Sequence, residues 1–187
     1  MSTSDSKLFL VTFWYNPAHS IRQLLVSKKG HTLALVVVAL FGMVQLNRLF
    51  PVTSEASLLL SILHGFIGIA CLFLISWLMR NFGRWFGADV RQRDVRTALG
   101  LGILPWTLLF VVLGLLLAAG VGPDVIAARY SFIVLIALVY GFYVLLFSLS
   151  AALGLGIIKT FACLSIAVMV SLFPLTFLAQ LLSAYLV

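Results

Sequence analysis

The chain has 187 residues, of which 63% are hydrophobic and 9% charged, with a mean hydropathy of +1.20. That composition excludes a water-soluble fold, because no soluble domain hides so much apolar surface, and makes the bilayer the solvent. Twelve Lys and Arg against five Asp and Glu give a net charge of +7, which suits a topology signal and a surface of anionic lipid and calls for no nucleic acid.

Residues 1–8 are polar, and Lys7 followed by LFLVTFWY has some character of a signal peptide. Asn16-Pro17 interrupts that run and no small-residue cleavage site follows, so the segment is expected to stay on the mature protein. From Asn16 the pattern is helical: Asn16 suits the N-cap and Pro17 the first helical position, while Ile21, Leu24 and Leu25 share a face opposite Arg22, Gln23 and Lys28. This predicts a short amphipathic helix lying on the membrane surface, with Phe13, Trp14 and Tyr15 at headgroup level.

Five apolar stretches follow, near 33–49, 57–79, 98–120, 130–153 and 160–186. Each approaches the about 20 residues that a helix needs to cross a hydrocarbon core. Runs such as LALVVVALFGM do not alternate polar and apolar residues, which excludes a closed barrel. The expected fold is all-α: a polytopic bundle of five transmembrane helices over 31–187, preceded by a cytoplasmic N-terminal segment, 1–30, with its interfacial helix. Pro174 interrupts the middle of the last span, and a kink inside a bundle accommodates it.

Charge sets the expected orientation. If the first span starts inside, one side receives Lys7, Arg22, Lys28, Lys29, Arg80, Arg84, Arg91, Arg93, Arg96 and Lys159, and the other only Arg48 and Arg129. Lys and Arg are retained on the cytoplasmic side, so the N-terminus is expected inside and the C-terminus outside a bacterial inner membrane. The segment RNFGRWFGADVRQRDVRTALG between spans two and three is the most distinctive polar stretch. Its arginines fit either a topology anchor on lipid phosphates or a docking surface for an acidic partner, and Asp89 and Arg93 are spaced as a helical pair. Trp14, Arg22, Lys28, Lys29, Arg84, Trp85, Arg91, Arg93 and Arg96 are the candidate contacts to anionic headgroups or to a membrane or cytosolic protein; a homo-oligomer is a further possibility.

The aromatic-Asn-Pro start and basic end of WYNPAHSIRQLLVSKKG, the Gly83 to Gly87 loop and the entry Gly102-Ile103-Leu104-Pro105 within TALGLGILPW resemble the bacterial branch of the Yip1 domain family. The resemblance runs from about residue 10 to the end. It implies five transmembrane helices, a cytoplasmic N-terminus, an exported C-terminus, and a part in membrane organisation or partner binding. Eukaryotic relatives carry cytosolic motifs such as DLYGP that accompany association with small prenylated GTPases. This chain lacks DLYGP, so that role is not implied.

Catalytic signatures are missing: there is no His-Glu-x-x-His, Gly-x-Ser-x-Gly or phosphate-cradling Gly-x-x-x-x-Gly-Lys-Ser/Thr. Glu55 and Asp124 lie in short loops suited to turn and cap duties, and no carboxylate sits inside a span. His64 is the one ionisable residue well inside an apolar segment, either hydrogen-bonded to a neighbouring helix or lining a cavity. Cys71 and Cys163 read as buried free thiols and supply no metal site, and no cofactor is implied. Gly100, Gly102, Gly114 and Ala118, with Gly141, Ser148, Ala152, Gly154 and Gly156, mark expected helix seams. Two function classes remain: a non-enzymatic scaffold or accessory factor with a basic cytoplasmic face, or a small transporter, channel or lipid-handling protein with a cavity near His64, Pro105 and Pro174. Gln180, the other isolated polar residue of the last span, is a further intramembrane candidate suited to a hydrogen bond across the bundle.

Overall fold

A computed structural model describes residues 12–27, 30–49 and 57–186. Among them every regular element is a helix: α1 (Pro17–Ser27), α2 (His31–Leu49), α3 (Ser57–Trp85), α4 (Gln92–Gly102), α5 (Leu104–Ala118), α6 (Pro123–Leu153) and α7 (Ile157–Leu186). Among the described residues four helical stretches are long and apolar enough to cross a membrane: Ser61–Trp85, Gln92–Ala118, Pro123–Leu153 and Ile157–Pro174. The stretch expected at 33–49 does form a helix, α2. Within the described residues its apolar stretch is His31–Gln45, while the helix continues to Leu49. Lys7, Lys28, Lys29 and Glu55 lie outside the described residues.

Local chemistry accounts for the boundaries. The Asn16 side-chain oxygen accepts a hydrogen bond from the His19 N–H at 3.2 Å, and Pro17 takes the first helical position, where its missing N–H costs nothing. The third expected span is two helices rather than one. Ile103 ends α4 and starts α5 with φ −86° and ψ −1°, because Pro105, one residue into α5, cannot donate to the preceding turn. Pro123 and Asp124 start α6 after an extended Gly122, and Gly154 ends it at φ 65°, its N–H returning to the Ser150 carbonyl at 3.0 Å. Pro174 lies inside the continuous helix α7.

Helix α2 packs against α3, α4 and α5, while α6 packs against α1, α4, α5 and α7. The core gathers at one end of the bundle, where Leu72, Leu78 and Met79 of α3, Val95, Ala98, Leu99 and Leu101 of α4, and Val144, Leu145, Leu149 and Leu153 of α6 meet Cys163, Leu164 and Ala167 of α7. Toward the other end the surface is apolar: no residue from 123 to 140 is buried, and Phe132, Ile133, Leu135, Ile136 and Val139 are exposed. Such a surface requires lipid around it.

The amphipathic helix α1 packs against protein. Pro17, Ser20 and Ile21 are buried, and α1 packs along α6. Trp14 stacks on Tyr140 with ring centroids 6.0 Å apart, and the Tyr140 hydroxyl donates to the Trp14 carbonyl at 2.6 Å. Ile21 of the apolar face is thus buried by protein and Leu24 and Leu25 are half-buried, while the exposed side holds His19, Arg22, Gln23 and Val26.

Close backbone approach occurs at some expected glycines and not at others. A methyl group on Gly100 would meet Ala34 of α2, one on Gly102 would meet Leu145, and one on Gly141 would enter the Trp106 indole. Gly114, Gly154 and Gly156 have nothing within 4 Å of such a methyl and so form no seam. The tightest crossing lies elsewhere, between α2 and α3, where Gly42 faces Gly68 and the His64 carbonyl, and Gly65 faces Met43 and the Ala39 carbonyl.

Candidate functional site

The end of the bundle that holds the core also carries Arg84, Arg91, Arg93 and Arg96, whereas Arg129 lies in the exposed half of α6. Helix α3 carries Arg84 in its last turn and stops in a Schellman closure: the Ala88 N–H donates to the Gly83 carbonyl at 2.9 Å and the Gly87 N–H to the Arg84 carbonyl at 3.0 Å. Gly87 supplies the required left-handed residue at φ 92°. Ala88 is buried and Val90 packs on the core, which fixes where α4 begins. Arg91 is the extended N-cap of α4 at φ −77° and ψ 137°, with no side-chain cap on the helix. Asp89 thus precedes the helix, so the pairing with Arg93 expected from helical spacing has no helical turn to support it; Asp94 takes the first-turn position that favours an acid.

One face of α4 sinks Val95, Ala98, Leu99 and Leu101 into the core and leaves Arg91 and Arg93 exposed. Between that helix, the end of α1 and the start of α2 lies a cavity of about 180 Å³ lined by Leu24, Leu25, Gly30, His31, Arg91, Arg93, Asp94 and Thr97. Gly30 allows the approach, since a methyl there would meet the Thr97 Cγ2 at 3.0 Å and the Leu24 Cδ1 at 3.3 Å.

His31 stands just before the apolar run that starts at Leu33. Burial first, then the positive charges of Arg96 and Arg93, hold its imidazole below the ordinary value of 6.5. The Thr97 hydroxyl donates its single proton to the Arg93 carbonyl at 2.9 Å and lies 3.5 Å from the His31 Nδ1. That second contact is a hydrogen bond only when Nδ1 carries the proton, which favours the Nδ1–H tautomer of neutral His31.

Of the residues singled out in the sequence, Arg91 and Arg93 come together in this cavity. Arg96 does not join them: it lies over the Phe73 ring of α3, 4.3 Å from the centroid, with its Nε buried and without a hydrogen-bond partner. Arg22 lines a separate shallow cavity formed by α1 alone, with His19, Gln23, Val26 and Ser27. Arg84 and Trp85 lie at the exposed end of α3, where Trp85 is 76% exposed and edge-on to Phe82. Trp14 is half-buried against Tyr140. Lys28 and Lys29 fall outside the described residues.

The intramembrane candidates are scattered. His64 is 5% exposed, at the tight α2–α3 crossing. Pro105 is buried below the α4–α5 break, Pro174 is half-buried within α7, and Gln180 is exposed on α7. Sequence reasoning missed His31, Asp94, Thr97 and Tyr140. The available signal for Thr97 was its place one turn after Arg93 on α4, and for His31 its place at the start of an apolar helix directly after Gly30. Among the described residues no group of three or more His, Cys, Asp or Glu could hold a metal ion.

No match was found among curated proteins or among solved structures. A family model does match, that of the Yip1 domain, over residues 11–178. That range takes in α1, the α3–α4 connection and every membrane-length helix, and the chain belongs to the Yip1 domain family.

Proposed function

We propose that this multi-pass membrane protein is a non-enzymatic scaffold or accessory factor of a bacterial inner membrane, with α2 as a fifth crossing, the N-terminus cytoplasmic and the C-terminus outside. Its basic cytoplasmic end holds anionic headgroups or the acidic surface of a protein partner. The observation that carries this reading is the convergence of Arg91 and Arg93 with His31 at the end of the bundle where α3 also presents Arg84 and Trp85. Arginine grips phosphate and carboxylate alike through its planar fork. The transport reading draws less support, because the backbones of α2 and α3 meet too closely at His64 to leave a passage between those two helices.

The test is gentle purification of the tagged protein followed by mass spectrometry of retained lipids and proteins. The expected result is preferential retention of anionic lipid or a stoichiometric protein partner, reduced in a combined Arg84→Gln, Arg91→Gln and Arg93→Gln variant. Equal retention of neutral and anionic lipid, with no protein partner, overturns the reading. A topology reporter expected inside at the N-terminus and outside at the C-terminus checks the crossing number.

A further inference from the structure

We infer that the cavity between α1, the α1–α2 junction and α4 is a binding site for a phosphate group that keeps a P–OH, as in a phosphomonoester or inorganic phosphate. The inference rests on the reading of this end of the protein as a basic docking face, and sharpens it to one site and one chemistry. Three features of the cavity converge on an oxyanion. Arg91 and Arg93 line it and supply planar donors. His31 lines it too, and becomes a second type of cationic donor once an anion offsets the neighbouring guanidinium charges. The starts of two helices also meet there, α2 at Gly30 and His31 and α4 at Arg91 and Arg93. The first-turn N–H groups of a helix lack the usual partner one turn back; in α4 the Asp94 N–H turns back to the Arg91 carbonyl at 3.0 Å, and no side chain caps the helix. A volume of about 180 Å³ corresponds to about six water molecules, room for a tetrahedral oxyanion with companion waters.

Asp94 gives the site its selectivity. A carboxylate in the lining repels a fully deprotonated oxyanion but accepts a hydrogen bond from an anion that carries its own hydroxyl. Hydrogen phosphate and a singly protonated phosphomonoester have that hydroxyl. Sulfate and a phosphodiester headgroup lack it. The combination of arginine donors with one carboxylate acceptor therefore favours phosphate over sulfate, which charge alone cannot do.

The experiment uses the full-length protein in nanodiscs of neutral phosphatidylcholine, titrated with inorganic phosphate and, separately, with sulfate at matched ionic strength, and read by thermal shift and native mass spectrometry. Parallel nanodiscs carry phosphatidic acid or phosphatidylglycerol. Phosphate is expected to bind at least about tenfold more tightly than sulfate, the scale of one charge-assisted hydrogen bond. Arg93→Gln should weaken phosphate by a similar factor, Asp94→Asn should bring the phosphate-to-sulfate ratio close to one, and Lys159→Gln, on the exposed start of α7, should leave both affinities unchanged. Retention of phosphatidic acid over phosphatidylglycerol that inorganic phosphate does not displace identifies a lipid headgroup as the source; binding of inorganic phosphate that displaces the lipid identifies a free phosphate. Equal binding of phosphate and sulfate to the unmutated protein overturns the site whether or not the variants fold. If anionic lipid retention still falls in Arg84→Gln, the basic face survives without the site, and if no anion or anionic lipid is preferred, both fail.

Discussion

Gly141→Ala isolates one contact on which the α5–α6 packing depends. The added methyl would occupy the place of the Trp106 indole, whose Nε1–H donates to the Leu138 carbonyl at 2.9 Å. The ring must leave or the helices must part. Replacing a helical glycine gains about 0.5–1 kcal/mol in backbone entropy. Against it stand an overpacking cost of about 1–3 kcal/mol and the loss of a hydrogen bond that in lipid averages about 0.6 kcal/mol. The net is a destabilisation of about 1–3 kcal/mol, or a fall in melting temperature on the order of 2–10 °C for a chain of this size. The comparison is Gly114→Ala, on α5, where a methyl meets nothing within 4 Å and only the entropic gain applies. Fluorescence-detected size-exclusion thermal melts of both variants in one detergent measure the difference, and the tryptophan emission of Gly141→Ala should shift as Trp106 moves. If Gly141→Ala melts no lower than Gly114→Ala, the close approach of Trp106 to α6 is wrong.

Tyr140→Phe removes the hydroxyl that donates to the Trp14 carbonyl at 2.6 Å while keeping the ring stack, and should weaken docking of the 12–27 segment by about 1 kcal/mol; faster amide exchange in residues 12–27 checks it, and unchanged exchange counts against that hydrogen bond. Gly42→Leu should part α2 from α3, because its β-carbon would already lie 2.7 Å from the His64 carbonyl, and a cysteine pair across that crossing should then no longer cross-link. His31 is held below 6.5 in the folded chain, so as pH falls the unfolded chain takes up its proton first; the stability it contributes is full above 6.5 and is lost as pH falls through the lower folded value. Melting curves from about pH 8 to about pH 5 should steepen in that lower range for the unmutated protein and less for His31→Gln; parallel curves contradict the depressed imidazole.

The legible parts of the fold were those decided within a few residues. The α1 start needs only Asn16, Pro17 and the His19 N–H, whereas the α4–α5 break at Pro105 falls inside a stretch read through as one span, although its signal is equally local. What α1 does with its apolar face was not local: Trp14 meets Tyr140 across 126 residues, and nothing in an amphipathic pattern tells lipid from a neighbouring helix. The same limit hid the cavity. His31 and Thr97 are 66 residues apart, and in an apolar bundle no face of a helix is marked for protein by hydrophobicity alone. Small residues were a better guide, yet not a sufficient one, since Gly100, Gly102 and Gly141 face neighbours and Gly114 does not.

The placement of the core gives the basic cavity mechanical weight. Its walls come from α1, α2 and α4, and those helices pack on α3, α5 and α6, while α7 packs on α3 and α6. Of the two halves of α6, only the one carrying Val144, Leu145, Leu149 and Leu153 is buried, so the bundle is held together chiefly at the end that also carries Arg91 and Arg93. An anion bound between α1 and α4 adds contacts where the packing is already densest and offsets the repulsion that His31 feels from Arg93 and Arg96. Ligand binding there should accordingly be visible as global thermal stabilisation and as slower exchange in α1, whereas a purely diffuse attraction between exposed arginines and lipid would stabilise neither, since screened surface charges contribute little to folding.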